Sequence, residues 1–198
     1  MTLRSRIAMC AAIVLGICSS VSRAEDTAPP NQPAKTAEPE IFKIRVGGQI
    51  PFHVIDFASG EHHGHCGCPS VMIKNHQARG LLVWSKEADD AALALVQAAE
   101  KWLDGGSKQA FFVVFDAEET ALRKRLEQTP LKRATAGIAR HNSQQQFRNY
   151  EIDKSAAHWV FLVDRDEVKS LWTLQAGKLT KEKQQEILTA AEQHFAAK

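Results

Sequence analysis

A short segment rich in histidine and cysteine has the highest density of chemically reactive side chains in the sequence. It runs from His62 to Cys68 and reads His-His-Gly-His-Cys-Gly-Cys, so that three imidazoles and two thiols occupy seven residues. Thiolates and imidazoles bind soft metal ions, and thiols also exchange with disulfides. This stretch, called the His/Cys segment below, therefore predicts either redox chemistry or metal binding.

The redox interpretation depends on the two cysteines. Cys66 and Cys68 can close a small, strained disulfide because the residue between them, Gly67, is flexible. Strain raises the reduction potential of such a bond and makes it labile. Protonated imidazoles nearby would favour the thiolate form. One cysteine would attack the disulfide of a partner protein and the other would resolve the mixed disulfide, so Cys66 and Cys68 are the candidate catalytic residues.

The metal interpretation uses the same segment. The thiols of Cys66 and Cys68, together with His62, His63 or His65, could supply three or four ligands to copper or zinc. A structural zinc site more often uses C-x-x-C with a distant second pair, so a copper carrier fits the spacing better. A third interpretation is a disulfide that only closes an exposed loop, in a non-catalytic interaction domain. The residues alone leave these alternatives open.

The start of the chain predicts export. Arg4 and Arg6 precede an apolar run from Ile7 to Cys18, and small residues stand at the two positions that signal peptidase inspects. This is the pattern of a secretory signal peptide over residues 1–24. The apolar run is too short to cross a bilayer comfortably. We therefore expect a periplasmic or secreted protein that is not attached to the membrane after cleavage.

Cleavage would change both the charge and the thiol content. The chain has 25 Lys and Arg and 23 Asp and Glu, and loss of Arg4, Arg6 and Arg23 leaves 22 against 23, so the formal charge changes from +2 to −1. A near-neutral protein with scattered basic residues is not expected to bind nucleic acid. Cys10 and Cys18 would also be removed, so every remaining thiol lies in the His/Cys segment.

The rest of the chain predicts a linker and one α/β domain. Residues 25–40 contain four prolines among small and charged residues, which indicates a disordered Pro-rich linker. Residues 41–198 have the length of a single domain. Within it, the apolar runs Leu81–Trp84 and Ala110–Phe115 predict buried strands, and each is followed by a predicted helix. Such an alternation makes the two strands parallel neighbours.

Shorter patterns complete the predicted domain. Val71–Gln77 is compatible with a helical turn or with a short strand. The other predicted elements are an edge strand at Ile41–Val46, a second strand at Phe52–Phe57, a helix from Ala88 to Asp104, a helix opened by a capping box at Asp116–Glu119, a strand at Ala134–Ala139, a hairpin of His158–Val163 and Val168–Leu174, and a final helix capped by Thr180.

This order of elements resembles the thioredoxin-like fold over about Gln49 to Ala197. The segment Ala78–Val83 and the stretch Ala176–Thr180 before the last helix are similar to exported bacterial thioredoxin-like proteins in which a paired-cysteine loop precedes the first core strand. The resemblance implies a central mixed sheet with a parallel βαβ half, a C-terminal β-hairpin and a final helix. It also implies thiol chemistry with the thiol or disulfide of an exported partner protein.

The resemblance implies a change in the position of the active site. In thioredoxins the C-x-x-C pair follows the first core strand at a helix N-terminus, and a cis-proline precedes the hairpin. This chain has Ser85–Asp89 and Ser155–His158 at those places, without a thiol or a proline. A looser similarity to copper-delivering members of the fold would add a distant histidine, His141 or His158, and a metal-receiving protein as the partner.

Overall fold

A computed structural model describes residues 42–60, 62–104 and 106–197 of the chain. The predicted signal peptide (1–24) and the predicted Pro-rich linker (25–40) lie outside these residues. Within them, no helix has the length and apolar character that crossing a membrane requires.

The described chain forms nine strands and five α-helices. In chain order the strands are β1 (Phe42–Lys43), β2 (Ile55–Phe57), β3 (Cys66–Gly67), β4 (Arg79–Ser85), β5 (Lys108–Val114), β6 (Thr135–Ala139), β7 (Tyr150–Glu151), β8 (His158–Asp164) and β9 (Glu167–Leu174). The helices are α1 (Pro69–Asn75), α2 (Asp90–Ala99), α3 (Glu119–Gln128), α4 (His141–Phe147) and α5 (Lys181–Ala196). A 3-10 turn, Glu100–Trp102, continues α2.

Seven of the strands form one mixed sheet in the order β3-β2-β6-β5-β4-β8-β9, and β1 pairs with β7 separately. The three central strands β4, β5 and β6 are parallel, with helices in the connections between them. The last two strands form an antiparallel hairpin that precedes α5. The predicted α/β class, with a parallel βαβ half, a C-terminal hairpin and a final helix, is therefore confirmed.

Helices cover both faces of the sheet, which explains why its central strands are apolar throughout. Leu81 and Val83 of β4 belong to the core that β4 shares with α2, α3 and α5. Leu82 and Trp84 point to the other face, where they join residues of α1 and α4. Alternate side chains of a strand face opposite sides, so a strand buried on both faces needs a continuous apolar run.

Some local predictions are corrected. The capping-box interpretation of Asp116–Glu119 is wrong, because α3 begins at Glu119 and its N-cap residue Glu118 makes no side-chain capping bond. The segment left open at Val71–Gln77 is helical, and Pro69 in the first turn favours this start because its φ angle is already helical. Thr180 caps α5 as predicted, since its Oγ1 accepts a hydrogen bond from the backbone of Lys183 at 3.3 Å. The first two strands, β1 and β2, are shorter than predicted.

Strands β2 and β6 approach each other closely at Gly137, which pairs with Phe57. A Cβ atom at position 137 would lie 2.5 Å from the carbonyl oxygen of Asp56 and 2.9 Å from Cδ1 of Ile55. Because the nearest atom belongs to the backbone, a side chain cannot simply turn away. Glycine is therefore required at 137 for β2 to pair with the rest of the sheet.

We expect Gly137→Ala to lower the free energy of unfolding by about 1–3 kcal/mol, because the added methyl forces β2 and β6 apart. Urea unfolding of both proteins measures this difference. Gly106→Ala is the matched control: its Cβ would meet only Asp104 Oδ1, at 4.0 Å, so we expect a change within about 0.5 kcal/mol. Equal effects of the two substitutions would contradict the close approach.

His53 is a fully buried histidine on the α1 and α4 side of the sheet. Its ring meets Trp84 edge to face at a centroid distance of 4.8 Å, and its Nδ1 lies 3.1 Å from the carbonyl oxygen of Pro51. A carbonyl only accepts, so Nδ1 carries the proton, and Nε2 has no hydrogen-bond partner among the described residues. Burial lowers the pKa of His53 to about 4, although the bond to Pro51 acts in the opposite direction.

This pKa makes stability fall on acidification. The unfolded state protonates its histidines near pH 6.5, so below that pH it binds a proton that folded His53 does not accept until about pH 4. We expect His53→Phe to remove about 2 kcal/mol of the stability loss between about pH 7 and pH 5. Urea unfolding at both pH values measures it. An unchanged slope in His53→Phe would contradict the assignment.

Candidate functional site

The first part of the His/Cys segment is a tight turn between β2 and β3. The backbone of Gly64 donates to Phe57 O at 3.1 Å, and the backbone of Phe57 donates to His65 O at 2.9 Å. Gly64 has a φ angle of +82°, a left-handed conformation that glycine adopts without strain. The turn returns the chain alongside β2, so that Cys66 lies opposite Asp56 in the antiparallel ladder.

Cys66 is exposed on this edge strand, next to an ion pair. Asp56, the cross-strand partner of Cys66, forms this pair with Arg140, which binds the carboxylate through Nε at 2.9 Å and Nη2 at 2.7 Å. The hydrogen bond and charge of Asp56, and then the charge of Cys66, raise the pKa of Arg140. The Cys66 sulfur therefore lies within electrostatic reach of a guanidinium group.

Cys68 is in a different environment, although it is only two residues away. It is buried at the start of α1, where its Sγ accepts a hydrogen bond from the His53 backbone at 3.4 Å and lies 3.0 Å from Ser70 Oγ. Ser70 in turn donates to the carbonyl of Pro51 at 3.2 Å. Burial, and then the charge of Cys68, raise the pKa of Tyr150, so this phenol stays neutral beside the thiol.

Both cysteines are free thiols, and Gly67 between them is tightly packed. A Cβ atom at position 67 would lie 2.9 Å from Cε2 of Phe57. The sequence predicts flexibility at this glycine, and the structure adds a steric requirement that no other residue satisfies without a shift of the Phe57 ring. The segment thus presents one accessible and one buried thiol, with the smallest possible residue between them.

The three histidines of the segment point to different neighbours. The ring of His62 packs on Phe57 at a centroid distance of 5.6 Å, Nε2 of His63 lies 3.2 Å from the Arg123 guanidinium, and His65 is exposed. Among the residues that the structure describes, no three His, Cys, Asp or Glu side chains are placed to hold a metal ion. The predicted ligands His62, His63, His65, Cys66 and Cys68 are therefore not assembled here, and metal binding stays a prediction.

A second cluster occupies the place where thioredoxins keep their redox pair. Ser85 ends β4 and its Oγ lies 3.0 Å from Nδ1 of His158, its partner in the β4–β8 ladder. Asp89 caps α2 by accepting from the Ala92 backbone at 2.9 Å, and its Oδ1 lies 3.9 Å from Nε2 of His158. Burial lowers the pKa of His158, partly opposed by Asp89. These side chains line a cavity of about 250 Å³.

Sequence reasoning named Ser85–Asp89 and His158 separately and missed their contact, since only the register of β4 and β8 brings Ser85 and His158 together. It also separates His158 from the cysteines. The side chains of His158 and Val160 lie on one face of β8, and Val160 belongs to the core beneath α2 and α5. Cys68 binds the His53 backbone, which lies on the opposite face of the sheet with Trp84. No cis peptide bond occurs among the described residues, including the Ser155–His158 stretch.

Comparisons with known proteins support the fold. No protein-family model matches the sequence, and no curated protein matches it. Among solved structures, a protein from Bacteroides thetaiotaomicron that is assigned as a protein disulfide isomerase is similar with a TM-score of 0.56 and 12% identity, over 78% of this chain and 92% of that one. A peroxiredoxin-like protein from Aquifex aeolicus is similar with a TM-score of 0.56 and 10% identity, over 77% and 88%.

A thiol:disulfide interchange protein DsbE from Chlorobium tepidum is similar with a TM-score of 0.50 and 17% identity, over 75% of this chain and 99% of that one. All three cover most of the domain, and their shared architecture is the one derived above from the order and direction of the strands. At such low identity the similarity concerns the fold. The chain therefore has the thioredoxin-like fold.

Proposed function

We propose that this protein carries out thiol–disulfide exchange through Cys66 and Cys68, with an exported protein as its partner. One observation carries the proposal: an exposed thiol and a buried thiol stand two residues apart on the edge of a thioredoxin-like sheet. The names of the similar structures, which include a disulfide isomerase and a thiol:disulfide interchange protein, support the same class of chemistry.

The exposure of the two thiols assigns their order in the reaction. The Cys66 thiolate attacks a disulfide of the partner, forming a mixed disulfide and releasing one partner thiolate, which takes up a proton. Cys68 then loses its proton and attacks Cys66 Sγ, releasing the second partner thiol. The partner gains two electrons and two protons, and the protein is left with a Cys66–Cys68 disulfide. The reverse sequence oxidises a dithiol of the partner.

Polar groups around Cys68 suit it to the resolving role. The hydroxyl of Ser70 has one proton, which it donates to Pro51 O at 3.2 Å while the Cys68 thiol is protonated. Once Cys68 becomes a thiolate, Ser70 can turn that proton towards Sγ, 3.0 Å away, because Nδ1 of His53 still donates to Pro51. The His53 backbone N–H is a second donor to the sulfur. Hydrogen bonds to a thiolate favour its formation.

Reaction of Cys68 requires the start of α1 to open, because the sulfur is buried when reduced. The helix is short, and its N-cap residue Cys68 makes no side-chain capping bond. Local opening of a short element costs less free energy than global unfolding, and here it must also expose Pro69 and Ser70, which are buried in the first turn. Resolution is therefore compatible with an intact central sheet.

Two single variants with equal thiol content test this order. In Cys68→Ser the remaining Cys66 should react with iodoacetamide at least about tenfold faster than Cys68 does in Cys66→Ser, since burial limits Cys68 to transient openings. With glutathione disulfide, Cys68→Ser should accumulate a glutathione adduct on Cys66, and the parent should resolve it to an internal disulfide. Intact-protein mass spectrometry of protein purified from the export compartment distinguishes these species.

The same protein samples distinguish redox use of the two cysteines from metal binding and from a non-catalytic role. Equal alkylation rates, or a parent that keeps the adduct without forming an internal disulfide, would contradict redox use of the pair. Copper or zinc bound stoichiometrically to the parent, and lost in the Cys66→Ser, Cys68→Ser double variant, would instead support metal binding by the His/Cys segment. A parent with neither property would leave a non-catalytic interaction domain.

A further inference from the structure

An open cleft of about 410 Å³ lies at the carboxyl ends of the parallel strands. Lys86 follows β4 directly, Asp116 follows β5, and α4 follows β6. In α/β sheets, ligands bind in the crevice beyond the carboxyl ends of the strands. The cleft is lined by Lys86, Asp116, Gln144, Phe147, Arg148 and Lys154. None of these residues belongs to the His/Cys segment.

The charges of the cleft are strongly unbalanced. Lys86, Arg148 and Lys154 are three cations, and Asp116 is the single carboxylate among the lining residues. Within the described residues, none of the three cations forms an ion pair, whereas exposed cations such as Lys43 and Arg140 each bind a carboxylate. The lining residues therefore carry a formal charge of +2, and another carboxylate that acts on them is that of Asp153, whose pKa is lowered by its hydrogen bonds to Ser155 and then by the charge of Lys86.

The two lysines are held in place by backbone carbonyls. Nζ of Lys86 donates to Lys154 O at 2.6 Å, and Nζ of Lys154 donates to Phe147 O. The ammonium of Lys154 also lies 4.5 Å from the centroid of the Phe147 ring. Burial, and then the charge of Lys86, lower the pKa of Lys154. The two like charges repel each other, and an anion bound between them would lower that repulsion.

We propose that this cleft binds a small ligand through a doubly charged oxyanion group, either a phosphate or a pair of carboxylates. The guanidinium of Arg148 presents a planar set of donors that matches such oxygens, and the two lysines add point charges. The amide of Gln144 supplies a neutral hydrogen bond. Lys86 also lines the Ser85–His158 cavity, which leaves room there for a polar remainder of the ligand.

Isothermal titration of the protein, purified after export, with inorganic phosphate tests the site. Sodium chloride keeps the ionic strength constant, and succinate in a parallel titration distinguishes a dicarboxylate from a phosphate. We expect saturable binding of one of the two anions at one site per chain. Arg148→Gln and Lys86→Gln should each weaken it roughly tenfold, the scale of one charge-assisted hydrogen bond.

Arg165→Gln is the matched control, because it makes the same charge change in the β8–β9 turn. The neighbouring Asp164 pairs with the first residue of β4, so this turn lies at the other end of β4 from the cleft. Arg165→Gln should bind as the parent does, and Arg148→Lys should retain part of the affinity. Unchanged far-ultraviolet circular dichroism and melting temperature exclude unfolding of the variants. Binding of neither anion, or an equal loss in Arg165→Gln, would overturn the proposal.

Discussion

The pairing of β2 with β6 holds the thiol-bearing segment on the rest of the protein. Among the described strands, β3 pairs with the sheet only through β2, and β2 reaches the parallel strands only through β6. The contact is three residue pairs long and requires the glycine at 137. It is reinforced where the Ser143 hydroxyl exchanges hydrogen bonds with the backbone of Val54, at 2.8 Å and 2.9 Å. The position of Cys66 in β3 follows from this narrow attachment.

Most of the fold follows from the sequence because its central strands are buried on both faces. Runs such as Leu81–Trp84 and Ala110–Phe115 cannot face water on either side, so their composition alone indicates a sheet that helices cover on both faces. The short strands do not follow in this way. Two or three residues carry too little periodicity, and their pairing is decided by contacts with residues far along the chain, as for β1 with β7.

The site follows from the sequence only in part, since residue type does not specify environment. Cys66 and Cys68 are the same residue type, and their difference arises because β3 ends between them and α1 begins. The Ser85–His158 pair depends on strand register, and the basic cleft gathers residues from four separate stretches of the chain. Lysines and arginines that are scattered in the sequence are close together in the folded protein.

The peripheral position of the thiol pair separates reactivity from folding stability. Neither cysteine belongs to the two hydrophobic cores, and β3 is an outermost strand of two residues. Substitutions at the exposed Cys66 alter few buried contacts, in contrast to the usual thioredoxin location, where the reactive residues end a central strand, whereas Gly67 and Cys68 are packed against the interior. The scaffold can therefore tolerate wide changes in the chemistry of this loop, and a protein built in this way can gain, lose or exchange an activity while its interior stays the same.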